Sequence, residues 1–413
     1  MNNITPLLKD NRKFSSYYFY NNFLLRIAIF LKENRGANTK IELIISHDAG
    51  NDLILQRNYI DSLTLPLIAC LGEQLKKYYN SLVKFNFINS PSNLDVLAFL
   101  ERSDFINLIN EKSYLNPNGE GIFIFDKRYF GGYKKKPIRP EHKIRKYSLT
   151  HNLSEKLELI LTDEEKRDYL VQHFAYQAKD HFHELLETTK NIGNKSILYI
   201  EILAELITNG VLHSKSNLYA LMFSNIYSTK FSIADCGIGF YNSLAEKENS
   251  FLYNKFEIIN ALKDSFNFNF NISDKLKESL LAIFEALYFS LLKERYGLFD
   301  LILNVIIESN GVVRIHNMNS QVIISHRFIN QLEKLYILRA EIINKYSEDL
   351  YDLEDDKSNK LDLVKLRDKC KLEFIKFGEK LLYQYSHDIK FSSVRFYKVT
   401  FKGVHIELEI PNS

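Results

Sequence analysis

The chain has 413 residues, 46% of them hydrophobic and 25% charged, with a formal net charge of only +3. These values exclude a disordered chain, a collagen-like chain and a disulfide scaffold, and the charge balance makes no global demand for a nucleic acid or a membrane surface. Three cysteines, Cys70, Cys236 and Cys370, lie far apart without metal-ligand spacing and read as reduced thiols of a cytoplasmic protein.

In chain order, the first third alternates helix and strand patterns. The apolar run at 23–31 is too short to span a bilayer, contains Arg26 and is followed by no small-residue cleavage site. It is expected to be a helix ending near Gly36, not a signal peptide or membrane anchor. Strands are expected at 40–46, 83–89 and 121–127, with helices at 65–80 and 94–109 between them; Pro66 suits the first turn of the former. This alternation predicts a small α/β layer domain over 1–130. The stretch 131–146, GGYKKKPIRPEHKIRK, is dense in Gly, Pro and cations. It reads as a solvated linker within 131–150, with a phosphate-binding or nucleic-acid-binding patch at 134–146 as the alternative.

From 151 to 413 the pattern is α+β. A long helix is expected at 162–191, opened by Thr162 with Glu165 three residues on, and a second at 196–214. Strands follow at 218–225 and 230–235, then a mixed helical and loop region at 241–294 and a short helix at 298–309. The strands GVVRIHN and QVIISH come next. Two charged amphipathic helices occupy 328–385, and the strands SVRFYKVTF and VHIELEI close the chain.

The helix at 196–214 carries the first chemical signal. Through an apolar background run Glu205, Asn209 and His213, spaced four apart and therefore stacked on one face. An acid, an amide and an imidazole so arranged suit a site where Mg²⁺ and an attacking water meet a phosphate; a solvent-facing stripe is the plain alternative. The second signal is Asp235-Cys236-Gly237-Ile238-Gly239 at the end of an apolar strand. There a carboxylate can accept from an exocyclic amine while glycines bring the backbone close to a ligand.

Together and in this order the motifs resemble the ATP-binding domain of the GHKL superfamily, which includes gyrase, the histidine kinases and the anti-sigma-factor serine kinases. Glu205 to Ser214 is similar to the family's N box, and its ExxxNxxxH form is closest to the anti-sigma kinases. The resemblance implies that Glu205 is the base and Asn209 the Mg²⁺ ligand, with His213 beside the nucleotide. Asp235, Gly237 and Gly239 resemble the first glycine box, whose Asp reads the adenine amino group. Arg295-Tyr296-Gly297-Leu298 resembles the second, a GxGL turn beside the phosphates, with Arg295 in place of its first Gly. Gly403-Val404 resembles the last Gly-Thr box, with Val replacing the Thr.

The stretch between the glycine boxes, about 240–294, corresponds to the family's ATP lid, with Lys247, Lys255, Lys263 and Lys293 as candidates for the γ-phosphate. The helices at 328–385 form an insertion before the last strand, read either as an interaction surface or as a structural hairpin. His183, in HFHELLET, is too close to the N box to be a phosphoacceptor histidine and is expected to be an ordinary helix residue. The N-terminal third looks like a STAS-type domain, with Ser62 where that fold places a phosphoacceptor; an unrelated α/β domain is the alternative. The implied function is Mg-ATP binding with slow hydrolysis or phosphotransfer that controls a protein partner. Alternatives are a partner-switching serine/threonine kinase, an ATPase that dimerises on ATP, and a nucleotide sensor without turnover.

Overall fold

The computed structural model describes residues 4–6, 14–35, 40–45, 60–87, 91–109, 121–125, 142–189, 191–192, 195–214, 216–267, 272–351, 357–385 and 392–412. In chain order the elements are β1 (Ile4–Pro6), α1 (Leu24–Glu33), β2 (Glu42–Ile45), α2 (Leu65–Tyr79), β3 (Val83–Phe87), α3 (Pro91–Arg102), α4 (Phe105–Ile109) and β4 (Phe123–Phe125). Then come β5 (Arg145–Tyr147), α5 (His151–Glu158), α6 (Asp163–Thr188), α7 (Ser196–Ser214), β6 (Leu218–Ser224) and β7 (Ser228–Asp235). The remainder is α8 (Gly239–Ala245), α9 (Glu257–Asn267), α10 (Asp274–Leu291), α11 (Leu298–Leu303), β8 (Val312–Asn317), β9 (Ser320–Ile324), α12 (Ile329–Tyr351), α13 (Lys357–Tyr383), β10 (Val394–Phe396) and β11 (Val404–Pro411).

The chain is α+β, with two sheets. β1 to β4 form a parallel sheet in sequential order, and a second sheet of seven strands runs β10-β9-β8-β11-β7-β6-β5, antiparallel at every pairing. The parallel sheet is what short strands linked by helices require, because a parallel connection needs a crossover. Pro66 lies in the first turn of α2, and α6 opens with the capping box expected of Thr162 and Glu165.

Strand periodicity divides the seven-stranded sheet between two cores. Along β6, Leu218, Ala220 and Met222 face the core under α6, α7, α10 and α11, whereas Tyr219 and Leu221 face the N-terminal layer. Along β11, Ile406, Leu408 and Ile410 point to the first core. The alternate residues His405 and Glu407 are polar and would read as a solvent face, but they are buried beneath N-terminal elements. His405 is held there by Tyr20 Oη at 3.1 Å and Ser232 Oγ at 2.9 Å. Ser232 in turn donates to the Leu63 carbonyl at 2.9 Å. α2 packs against β3 on one side and β6 and β7 on the other, so its first two turns are buried throughout.

Three sequence expectations change here. Of the stretch 131–150, residues 131–141 lie outside the described residues. Arg145–Tyr147 is no linker but the edge strand β5, paired with β6 and tied to the N-terminal layer by Arg145 and Lys143 at Asp104. Of the stretch 240–294 expected as a lid, α10 is a core helix buried from Leu280 to Leu287. Among the described residues the chain around 246–256 and 292–297 borders a wide opening as irregular structure. The insertion 328–385 is the expected helical hairpin, yet Leu335, Leu338, Phe374 and Phe377 belong to the main core.

Phe19, fully buried and edge-on to Phe401 at 5.2 Å, ties the N-terminal layer to the chain just before β11. Phe19→Ala is expected to cost about 3–5 kcal/mol in a urea titration followed by circular dichroism, with one cooperative transition. A loss below about 1 kcal/mol would show that the two layers do not share a core.

Candidate functional site

α7 is apolar on almost every side, and α6, the seven-stranded sheet and α11 cover it. By length and composition it could cross a bilayer, but here it packs inside the fold. Glu205 is 5% exposed, so the acidic member of the stripe is not a solvent-facing residue. A buried carboxylate needs a partner, and Arg167 of α6 supplies it. One guanidinium nitrogen, Nη2, lies 2.5 Å from Glu205 Oε2 and 2.8 Å from Asn209 Oδ1. Arg167 was not among the residues expected from the sequence, where it is one of two adjacent cations, Lys166 and Arg167, one turn inside a capped helix.

A cleft opens beside this trio. It brings together Asn209 and His213 from α7, Asp235 from the end of β7, Gly239 from the start of α8, Gly297 and Leu298 from the start of α11, and Val404 from the start of β11. Leu206, Leu218, Ile233, Phe289 and Ile406 give it apolar walls. The lining, apolar walls with a few convergent polar groups, is that of a small-molecule site.

At one end of the cleft Asp235 is buried and accepts from the Gly237 N–H at 2.8 Å and from the Val404 N–H. Burial pushes its carboxyl up to about 7, against those two bonds. Gly237 and Gly403 do not line the cleft; they let its walls approach. A Cβ on Gly403, whose φ is +104°, would lie 2.0 Å from the Asp235 carbonyl oxygen, and one on Gly237 would lie 2.3 Å from the Ser214 carbonyl.

At the other end cations crowd together. Arg167, Lys247 and Lys293 all line the cleft, and Lys247 Nζ lies 2.9 Å from His213 Nε2. Burial, then repulsion from Arg167 and Lys247, pushes the Lys293 ammonium down to about 7. Burial and Arg167 likewise bring Lys247 down to about 8. His213 falls to about 3 through burial and these same cations, which leaves it neutral at pH 7. Among the described residues no group of three or more His, Cys, Asp or Glu forms a metal cluster.

The other candidates lie elsewhere. Lys255 donates to the Ala245 and Lys247 carbonyls, and Lys263 is exposed on α9. Arg295 is not a cleft residue: Asp168 and Glu164 of α6 hold it at the rim of a neighbouring opening of about 1710 Å³. It acts as a strut between α6 and the turn before α11. Ser62 is 6% exposed, in a 3₁₀ turn capped by Asp61 against the seven-stranded sheet, and is not offered for modification. His183 pairs with Glu187 one turn on, as an ordinary helix residue does.

The insertion reaches the site through Arg339. Its guanidinium makes two 2.9 Å bonds to Asp300, whose Oδ2 accepts from the Gly297 N–H, also at 2.9 Å. It also donates to the carbonyls of Leu291 and Lys293.

No protein-family model matches the chain, and no curated protein or solved structure matches it either.

Since the folded Lys293 pKa lies below that of an unfolded lysine, this side chain binds fewer protons in the empty protein than in the unfolded chain between pH 7 and about 10. Its own contribution to stability therefore rises with pH across that window, while the raised thiols of Cys70 and Cys370 act in the opposite sense toward its upper end. Lys293→Met removes the repelled charge, so it should raise the melting temperature of the empty protein at pH 7. An unchanged or lower melting temperature would mean that the cation is already compensated.

Proposed function

We propose that the chain binds adenosine triphosphate with Mg²⁺ and turns it over slowly to control a protein partner. The observation that carries this reading is the convergence of Arg167, Lys247 and Lys293 at one end of an apolar cleft that ends on the Asp235 carboxylate. Repelled, half-desolvated cations call for a polyanion, and an apolar slot ending in an acceptor calls for a flat base bearing an amine. Triphosphate and adenine meet both demands in one molecule. The order of motifs, with their likeness to the GHKL superfamily, supports the same assignment.

Asn209 is the residue suited to hold Mg²⁺, because its Oδ1 already faces a cation. When bound, the ion would offset phosphate charge and keep most of its waters. Glu205, one turn before Asn209 and behind the cleft lining, would take a proton from a water or hydroxyl attacking the terminal phosphate once Arg167 no longer holds it. Ionised Asp235 accepts from the adenine amino group, where guanine carries a carbonyl. The chain lacks the Thr of the last box, and the Val404 N–H is already spent on Asp235. The cleft therefore has one hydroxyl fewer for the base than the family pattern provides.

Phosphotransfer to a protein hydroxyl is the second reading. The wide opening beyond Lys247 and Lys293, walled by Phe251, Tyr253 and Tyr346, favours it because it leaves room for an acceptor segment. The free thiols Cys70, Cys236 and Cys370 suit a reducing compartment such as the cytoplasm.

Calorimetric titration is expected to show ATP bound more tightly than GTP, and Asp235→Asn to weaken ATP by roughly ten- to a hundredfold, the worth of a charge-assisted bond. Equal affinity for the two nucleotides would overturn the assignment of Asp235. At pH 8, charging Lys293 against phosphate should draw in roughly one proton, visible as a dependence of the binding heat on the buffer.

Glu205→Ala should retain ATP and lose about 10²–10⁴-fold in turnover, measured as phosphate release or label transfer to a partner. Turnover equal to wild type would remove Glu205 as the base. A wild-type chain that binds ATP but never turns it over is a sensor.

A further inference from the structure

We propose that Arg167 is a displaceable internal cation: without nucleotide it fills the oxygen pair of Glu205 and Asn209, and the phosphates of an arriving nucleotide draw it away, opening the metal position and freeing the carboxylate in one movement. This rests on the nucleotide reading above and goes beyond it.

A single nitrogen carries the pairing. Arg167 Nη2 bonds Glu205 Oε2 at 2.5 Å and Asn209 Oδ1 at 2.8 Å. A divalent ion held by Asn209 Oδ1 would sit about 2.0–2.1 Å from that oxygen, in space the guanidinium nitrogen now takes. Two cations do not share such a space. Either the arginine leaves or the metal stays out. The pairing also ties up the one carboxylate placed to act as a base, so no water is activated while the cleft is empty.

The arginine has somewhere to go. Its side chain is 15% exposed and borders both the cleft and the wider opening beside it. Lys247 and Lys293 line the same end. Their lowered ammonium pKa values, caused in part by Arg167 itself, mark that end as short of negative charge. A phosphate arriving there offers the guanidinium a fork of oxygens that matches its planar donors better than one carboxylate oxygen and one amide do. Neighbouring acids do not compete for it, because Asp168 and Glu164 are engaged by Arg295. A fixed structural ion pair would need only Glu205. The second bond, to the amide expected to hold the metal, is what gives the pairing a role in the order of binding.

The test uses Mn²⁺ as the metal probe, titrated by electron paramagnetic resonance into the full chain without nucleotide. Wild type should bind it weakly. Arg167→Ala should bind it at least about tenfold more tightly and bind ATP at least about tenfold more weakly, since it has lost a charge-assisted phosphate contact. Arg167→Gln is two bonds too short to put a nitrogen between the two oxygens and carries no charge, and it should show the same gain if the alanine variant does not fold. Arg167→Lys should keep the metal weak in the empty protein. If Mn²⁺ binds the folded neutral variants no better than wild type, Arg167 is a fixed pair and the proposal falls. The metal titration contains no nucleotide. A wild type that binds no ATP would therefore overturn the nucleotide reading through a separate measurement.

Discussion

A helix that is apolar on nearly every side has to be covered over most of its surface, and α7 imposes that demand on the rest of the fold. The sheet lies on one flank, α6 on another and α11 on a third. Cover on the α6 flank leaves Glu205 almost no water, so a cation must come from the element that packs there. That element is α6, and the cation is Arg167. The oxygen pair that gives the site its chemistry therefore arises from a packing requirement: the same burial that stabilises the helix isolates its acid and fixes a guanidinium against it. The open flank of α7, carrying Asn209 and His213, is where the cleft forms.

The cations of the cleft work against stability. Arg167, Lys247 and Lys293 share one desolvated volume; Arg167 pairs with Glu205, and at Lys293 burial and the repulsion of Arg167 and Lys247 outweigh the attraction of that same carboxylate. Lowered ammonium pKa values measure that conflict: the empty protein reduces it by giving up protons. Natural sequences tolerate such local conflict mainly at functional sites, and here it lies beside a cleft whose remaining lining is ordinary packing. Core requirements account for Leu206, Ile233 and Ile406, but not for two lysines turned toward the same enclosed space.

Most elements were legible because their periodicities are strong. α7 spans the expected 196–214, and the expected strand starts at 218 and 83 hold, since alternation with branched and aromatic residues marks them. What the sequence hid were relations between distant segments. The alternation in VHIELEI reads as one wet face. His405 and Glu407 of that face are instead roofed by the N-terminal layer, and the His405 ring is bonded to Tyr20 and Ser232. β5 was read as linker because three residues with two cations make a poor strand until β6 is there to pair with them. The supposed lid was misjudged because α10 is almost wholly apolar from Leu280 to Leu291, a core signature that the family pattern overrode. Asn209, His213, Asp235, Gly297 and Leu298 converge as the motif order implied, whereas Arg295 was assigned by position alone. Arg167 has no local motif and could be recognised only once α6 lay against α7.

The cleft is also held from two sides by segments that do not line it. On one side Arg339 of the hairpin binds Asp300 with both arms of its guanidinium, and Asp300 fixes the Gly297 N–H. On the other, Glu73 of α2 accepts from Asn217 and Tyr219 beside the start of β6, and Gln74 donates to the Lys402 carbonyl next to Gly403. Breaking a buried pair such as Arg339–Asp300 is costly, because either partner alone leaves an uncompensated charge. The turn at Gly297 therefore cannot shift far unless the hairpin shifts with it. The loop at Gly403 is bound in the same sense to the N-terminal layer. A ligand that draws the two edges of the cleft together would therefore act on both attachments at once, the hairpin through Arg339 and the N-terminal layer through Gln74.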